Sequence, residues 1–156
     1  GLPLRIAAKV EKSDLPYFES VVKPMLREPG VEFIGEIGER DKARFLGDAA
    51  ALLFPIDWPE PFGLVMIEAM ACGTPVIAYP CGSVPEIVEP GTTGFVVETE
   101  DEAVASVARL AGLDRAACRR AFEDRFTAAR MARDYVALYR EVALQPRLAP
   151  ARRAAA

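Results

Sequence analysis

Histidine is absent from the 156 residues. That excludes Ser–His–Asp and Cys–His nucleophile systems and any His-ligated metal. Chemistry in this chain must rest on carboxylates, backbone amides, helix dipoles and Lys or Arg. Cysteine is scarce: Cys72, Cys81 and Cys118 form no close ligand pair, and an odd count does not suggest a disulfide framework. A reducing, cytoplasmic setting is the expectation. No apolar run approaches the ~20 residues that span a bilayer. The opening stretch GLPLRIAAKVEKSD has no charged leader followed by a long apolar segment, so no signal peptide is expected. Two phosphate-binding patterns, G-x-G-x-x-G and G-x-x-x-x-G-K-[ST], are also missing. Gly91-Thr-Thr-Gly94 reads only as a turn, so NAD-dependent oxidation and P-loop ATP hydrolysis lose their sequence support.

What is present suits a soluble globular protein: 51% of residues are apolar and 27% charged. A mass of 17.0 kDa fits one domain, assigned here to residues 1–146, with the Ala/Arg-rich end, 147–156, read as a disordered tail. The net charge of −4 hides an asymmetry. From Asp114 to Arg153 there are ten arginines against five acids, and the rest carries nine bases against eighteen acids. Two readings stay open: an anionic partner, or the solvent side of carboxy-terminal helices. No aromatic–basic interleaving appears, so no nucleic-acid partner is expected. The arginine-rich tail is the one hint of a membrane surface.

Strand and helix patterns alternate along the chain. Leu4–Val10 reads as a strand. Ser13 and Asp14 can cap a helix whose Phe18, Val21, Val22 and Met25 repeat at helical spacing until Pro29-Gly30. Val31–Ile34, Ala51–Phe54, Pro75–Tyr79 and Gly94–Val97 read as strands. Asp41–Ala49, Leu64–Cys72 and Val84–Val88 read as the helices between them. From Asp101 the period is helical throughout: Asp101–Ala111, Arg115–Asp124 and Thr127–Leu144, the last with an apolar stripe of Met131, Tyr135, Leu138, Tyr139 and Val142. Continuous apolar strands alternating with helices imply an α/β, doubly wound, Rossmann-like parallel sheet covered on both faces.

Such sheets bind ligands beyond the carboxyl ends of their strands. One strand-to-helix junction stands out, FPIDWPEPFGLVMIEAMACGTPVIA, from Phe54 to Ala78. Pro55, Pro59 and Pro61 stiffen the loop and restrict the residue before each, which constrains Glu60 on both sides. Gly63 permits close backbone approach to a ligand, and a helix starting near Leu64 offers N–H groups and a positive dipole end to an anion. Glu68 lies ~6 Å along that helix from Leu64. A diphosphate at the helix start would leave two carboxylates nearby to accept from hydroxyls, which suits a sugar nucleotide. Each residue also has a plainer reading. Glu60 can serve as an acid at a helix amino terminus, and Glu68 as a solvated helix carboxylate. Trp58 can pack the loop, and Cys81 is a small loop residue with no histidine to activate it. Lys9, at a strand end, stays open as a phosphate ligand.

Glu60 and Glu68, with seven residues between them, and the block EPFGLVMIEAMACGTPVIA resemble the Glu-x7-Glu signature of family 4 (group 1) retaining glycosyltransferases of GT-B fold. Val31-Glu-Phe-Ile-Gly35 resembles the family's base-side strand and loop. Cys81-Gly-Ser-Val-Pro-Glu86 resembles its Gly-Gly-x-x-Glu segment, with Cys for the first Gly. Gly91-Thr-Thr-Gly-Phe-Val-Val and Tyr135-Val-Ala-Leu-Tyr139 resemble its last turn and strand and its closing helix. The resemblance covers nearly the whole chain.

It implies the carboxy-terminal, donor-binding domain of an enzyme that moves a glycosyl group from a nucleotide diphosphate sugar with retention, without bound metal or cofactor. Glu60 would hold sugar hydroxyls as the catalytic residue, and the amides of Phe62, Gly63 and Leu64 would face sugar and diphosphate. Glu68 would accept from the ribose, and the Gly35–Ile37 backbone would touch the base. Charge on the leaving group would be met by amides, a helix terminus and basic side chains. The family's Gly-Arg…Lys-Gly strand and loop and its amino-terminal acceptor domain would precede Leu4. The implied chain is therefore a weak or inactive half, its sheet interrupted where a central strand is lacking. A non-catalytic nucleotide-sugar-binding or interaction module, paired with a separate acceptor domain, is the alternative. A GT-B-like epimerase is a further one, disfavoured by the lack of histidine.

Overall fold

A computed structural model describes residues 1–144; the assigned tail, 147–156, lies outside the described residues. The chain forms two compact units, Gly1–Asp48 and Ala49 onward, where the sequence pattern suggested one domain. Their strands form two separate parallel sheets, β1-β2 and β3-β4-β5. The architecture is α/β with parallel strands, as expected.

In the first unit β1 (Leu4–Ala7) pairs with β2 (Val31–Gly35), with a register shift between Ile6 and Ala7. Leu4 N–H donates to Gly30 O at 2.8 Å and Ala8 N–H to Gly35 O at 3.0 Å, so the ladder is closed at both ends. On its surface Arg5 pairs with Glu32 at 2.7 Å. The chain between the strands is not the single helix expected. α1 (Leu15–Tyr17), a π-helical stretch (Phe18–Val22) and α2 (Lys23–Met25) run on from one another. Pro24 explains the change of pitch: it has no N–H for the carbonyl four residues back, and its ring clashes there, so the preceding turn widens. An extra residue in that turn rotates α2 about the helix axis, and Met25, expected on the apolar face, stands 64% exposed. Asp14 occupies the cap position of α1 without a side-chain cap bond. α3 (Glu39–Gly47) then follows Gly38.

In the second unit β4 (Val76–Ala78) lies between β3 (Leu52–Phe54) and β5 (Gly94–Val96), all parallel. β4 is buried on both faces, as an all-apolar strand requires. Ile77, Phe95 and Val97 form a core with Ala103, Val107 and Leu110, residues of α6 (Glu100–Arg109) and the 3-10 turn after it. α4 (Leu64–Ala71) buries Met66, Ala69 and Met70. α5 (Val84–Ile87) joins β4 to β5 and buries Val84 and Ile87. Leu53, read as buried, is 46% exposed because β3 is a sheet edge.

α7 (Arg115–Arg125) braces α4 from behind. Arg119 donates to the Ala71 carbonyl, one of the orphan acceptors at the end of α4. Arg115 donates to Thr74 Oγ1 and Ala49 O, both at 2.7 Å, and Cys118 Sγ approaches Thr74 O at 3.6 Å. Caps not anticipated from sequence start the last helices. Thr99 accepts from Glu102 N–H at 3.2 Å, and Asp114 accepts from Ala116 N–H at 2.8 Å. That backbone bond, with Arg120 beside it, holds the Asp114 carboxyl below the usual range. α8 (Ala128–Leu144) buries none of its residues, so the expected apolar stripe is present and exposed.

Candidate functional site

The loop from β3 to α4 is built on proline-centred three-residue turns. Ile56 N–H donates to Phe54 O at 2.9 Å around Pro55, and Glu60 N–H donates to Trp58 O at 2.8 Å around Pro59. The facing loop after β4 repeats the device around Pro80, with Cys81 N–H to Tyr79 O at 2.8 Å. A ring-fixed φ near −65° suits the centre of such turns. Trp58, read as a packing residue, is 52% exposed.

Gly63 caps α4 in the left-handed conformation, φ 70°, which disfavours any residue with a Cβ. The turn aims backbone amides of the loop at one point, and Glu60 occupies it. Glu60 Oε1 accepts from Gly63 N–H at 3.0 Å and lies 3.4 Å from Phe62 N. The Glu60 carboxylate thus lies beside the Phe62 and Gly63 amides at the start of α4.

The backbone of Glu60 is fixed from the other side by the Cys81–Ser83 turn. Ser83 N–H donates to Glu60 O at 2.9 Å. Gly82, with φ 56°, lies so close that a Cβ would collide with the Glu60 backbone, its nitrogen at 2.5 Å. No local pattern announces this contact, although the glycine in the Cys-Gly-Ser-Val-Pro-Glu block marks its place. Ser83 Oγ is buried and has no hydrogen-bond partner among the described residues.

Thus Glu60, Phe62, Gly63, Leu64 and Glu68 belong to one loop and the first turns of one helix. Phe62 and Leu64 are exposed, Glu60 and Glu68 half-buried, and Gly63 is buried beneath them. Gly35 and Ile37 belong to the first unit. Gly35 ends β2 with φ 73° and accepts from Ala8, and Ile37 follows in the loop to α3. Lys9 pairs with Glu11 at 2.6 Å. Cys81 is half-buried and free. Among the described residues no group of three or more Cys, Asp or Glu could hold a metal ion. No helix among them is long and apolar enough to cross a membrane. A groove of about 460 Å³ beside β5 and α6, lined by Phe95, Ser106 and Arg109, includes none of the site residues.

Residues 14–123 match the model of the family described as glycosyl transferases group 1. The D-inositol 3-phosphate glycosyltransferase of Streptomyces scabiei is 42% identical over 82 residues, which is 53% of this chain and 18% of that protein. Among solved structures, AviGT4, a glycosyltransferase involved in avilamycin A biosynthesis, is 30% identical with a TM-score of 0.71, covering 90% of this chain and 43% of the other. Anabaena HepE, solved with UDP, superposes with a TM-score of 0.77 at 19% identity, covering 90% of this chain and 41% of the other. The chain spans less than half the length of each of these proteins.

Proposed function

The chain belongs to the glycosyl transferases group 1 family, and from that premise we propose that it binds the donor in glycosyl transfer from a nucleotide diphosphate sugar. The observation that carries this reading is the Glu60 carboxylate folded onto Gly63 N–H at the start of α4. This is a point where an oxygen-bearing ligand finds directed amide donors, a helix dipole and a carboxylate acceptor together.

In this reading a donor oxygen takes the Gly63 and Phe62 amides, and Glu60 turns to accept from sugar hydroxyls. Glu68 accepts from the ribose, and the Gly35–Ile37 backbone meets the base. Departing diphosphate charge is stabilised by preorganised amides and the helix terminus, so no bound metal is required. Transfer proceeds with retention, and the acceptor is held by an amino-terminal domain in the same or another chain. Three cysteines, an odd count that does not suggest a disulfide framework, suit a cytoplasmic setting. HepE's complex with UDP makes UDP the first nucleotide to try.

Calorimetry with UDP, GDP and ADP, then with their glucose conjugates, tests the reading directly. Micromolar binding of one nucleotide is expected, with Glu68→Ala weakening it at least tenfold, since a buried or half-buried hydroxyl-to-carboxylate bond is worth about 1.5–3 kcal/mol. Unchanged affinity in Glu68→Ala would remove the ribose assignment. Binding without transfer, after a matching acceptor domain is supplied, would favour the non-catalytic module.

A further inference from the structure

We propose that Phe126, held in place by Arg125, is a positioning residue for the donor-binding loop and acts through Phe62; this rests on the reading of that loop given above. Phe126 follows the last residue of α7 in the chain. Its ring meets that of Phe62 edge-on, with centroids 6.4 Å apart and planes at 83°, a favoured aromatic geometry. Phe62 is 41% exposed, so Phe126 is a specific restraint on a ring otherwise open to solvent. A ring held against Phe126 limits how far the Phe62 backbone can shift, and with it the Phe62 and Gly63 amides assigned to the donor.

Arg125 fixes Phe126 against the rest of the site. Its guanidinium lies 4.7 Å from the centre of the Phe126 ring. It donates to Glu86 O at 2.5 Å and Ile87 O at 3.3 Å, and it pairs with Glu89. Those carbonyls end α5, and the residue that starts α5, Ser83, donates to Glu60 O. Arg130 adds a bond to Arg125 O at 2.8 Å. The contacts close a ring: Glu60 to Ser83, α5 to Arg125, Phe126 to Phe62. Both ends of the Glu60–Phe62 segment are thereby anchored to α7, outside the loop itself. A planar guanidinium with several donors can satisfy two carbonyls, a carboxylate and a ring face together, which lysine cannot.

The test is a double-mutant cycle on the 156-residue chain. Phe126→Leu, Phe62→Leu and the double variant are titrated with whichever of UDP-, GDP- and ADP-glucose the unmutated chain binds, and with the matching free nucleotide. Melting temperatures are recorded alongside. Phe126→Leu should weaken the sugar nucleotide roughly threefold to tenfold, the range expected for one aromatic pair. The free nucleotide, which keeps the diphosphate and lacks the sugar that Glu60 holds, should be weakened by a clearly smaller factor. In the Phe62→Leu background the same substitution should add nothing, and Phe126→Tyr, which keeps the ring edge, should restore affinity. Multiplying effects in the double variant, or equal losses for both ligands, would overturn the proposal while leaving the donor site intact. If the unmutated chain binds none of the three sugar nucleotides, the donor reading falls and the proposal with it.

Discussion

The two units are held together by different means. In the second, Met66, Met70, Val76, Val84 and Val88 are fully buried, and β4 lies between two neighbours with helices packed around it. In the first, Leu46 is the one buried apolar residue among those described, and the strands are joined by a short ladder with an exposed Arg5–Glu32 pair. The lesson concerns where geometry can be exact. Close-packed side chains fix a backbone to within tenths of an ångström, and the Glu60–Glu68 segment is mounted on such a core. A two-stranded ladder with solvated flanks is marginal by comparison.

Methionine offers the sharpest way to break that contrast. Met70→Ala should destabilise by about 2–5 kcal/mol through lost burial and a residual cavity. Met25→Ala, at an exposed position in the first unit, should change stability by less than about 0.5 kcal/mol. Denaturant melts of the two variants check this, and similar losses would erase the distinction.

A smaller effect comes from pH. Cys118 is fully buried, and burial raises its thiol from 9.0 to about 11. The unfolded chain loses this proton first, so between pH 9 and 11 the unfolded state binds fewer protons and stability falls as pH rises. The loss attributable to this thiol should be on the order of 2 kcal/mol by pH 11. Cys118→Ala should flatten that part of the stability–pH curve, after allowance for the lysines and tyrosines that titrate in both proteins.

A smaller effect than the thiol's belongs to the first unit's surface. Glu32→Gln removes the partner of Arg5 with both side chains about half exposed. It should cost at most about 1 kcal/mol, and less at high salt. A larger loss, measured at low and high ionic strength, would show the ladder depends on this pair more than its exposure allows.

Much of this was legible in the residues. Strands and helices of the second unit fall within a few residues of their expected bounds because the apolar period is strong and Gly or Pro punctuates it. Glu60, Gly63 and Glu68 stood out because they share one junction. Other features depend on groups far apart in sequence. Arg125 meets Glu89 across 36 residues, and no local pattern encodes that pairing. The widened turn at Phe18–Val22 required weighing Pro24 against a helical period that favoured a continuous helix. Apolar patterning located the α8 stripe and Leu53 but not their exposure, since pattern records what a face can bury and not what lies against it.

The contact between Glu60 and Gly63 carries a thermodynamic consequence. The Gly63 amide already has a charged acceptor at 3.0 Å. In the proposed donor role, an oxygen arriving there would exchange one hydrogen bond for another, and its free energy would be the difference between the two. The carboxylate so released must find hydroxyls, which a sugar brings and a bare diphosphate does not. In the donor role proposed above, such an exchange would reward the complete donor over its spent nucleotide.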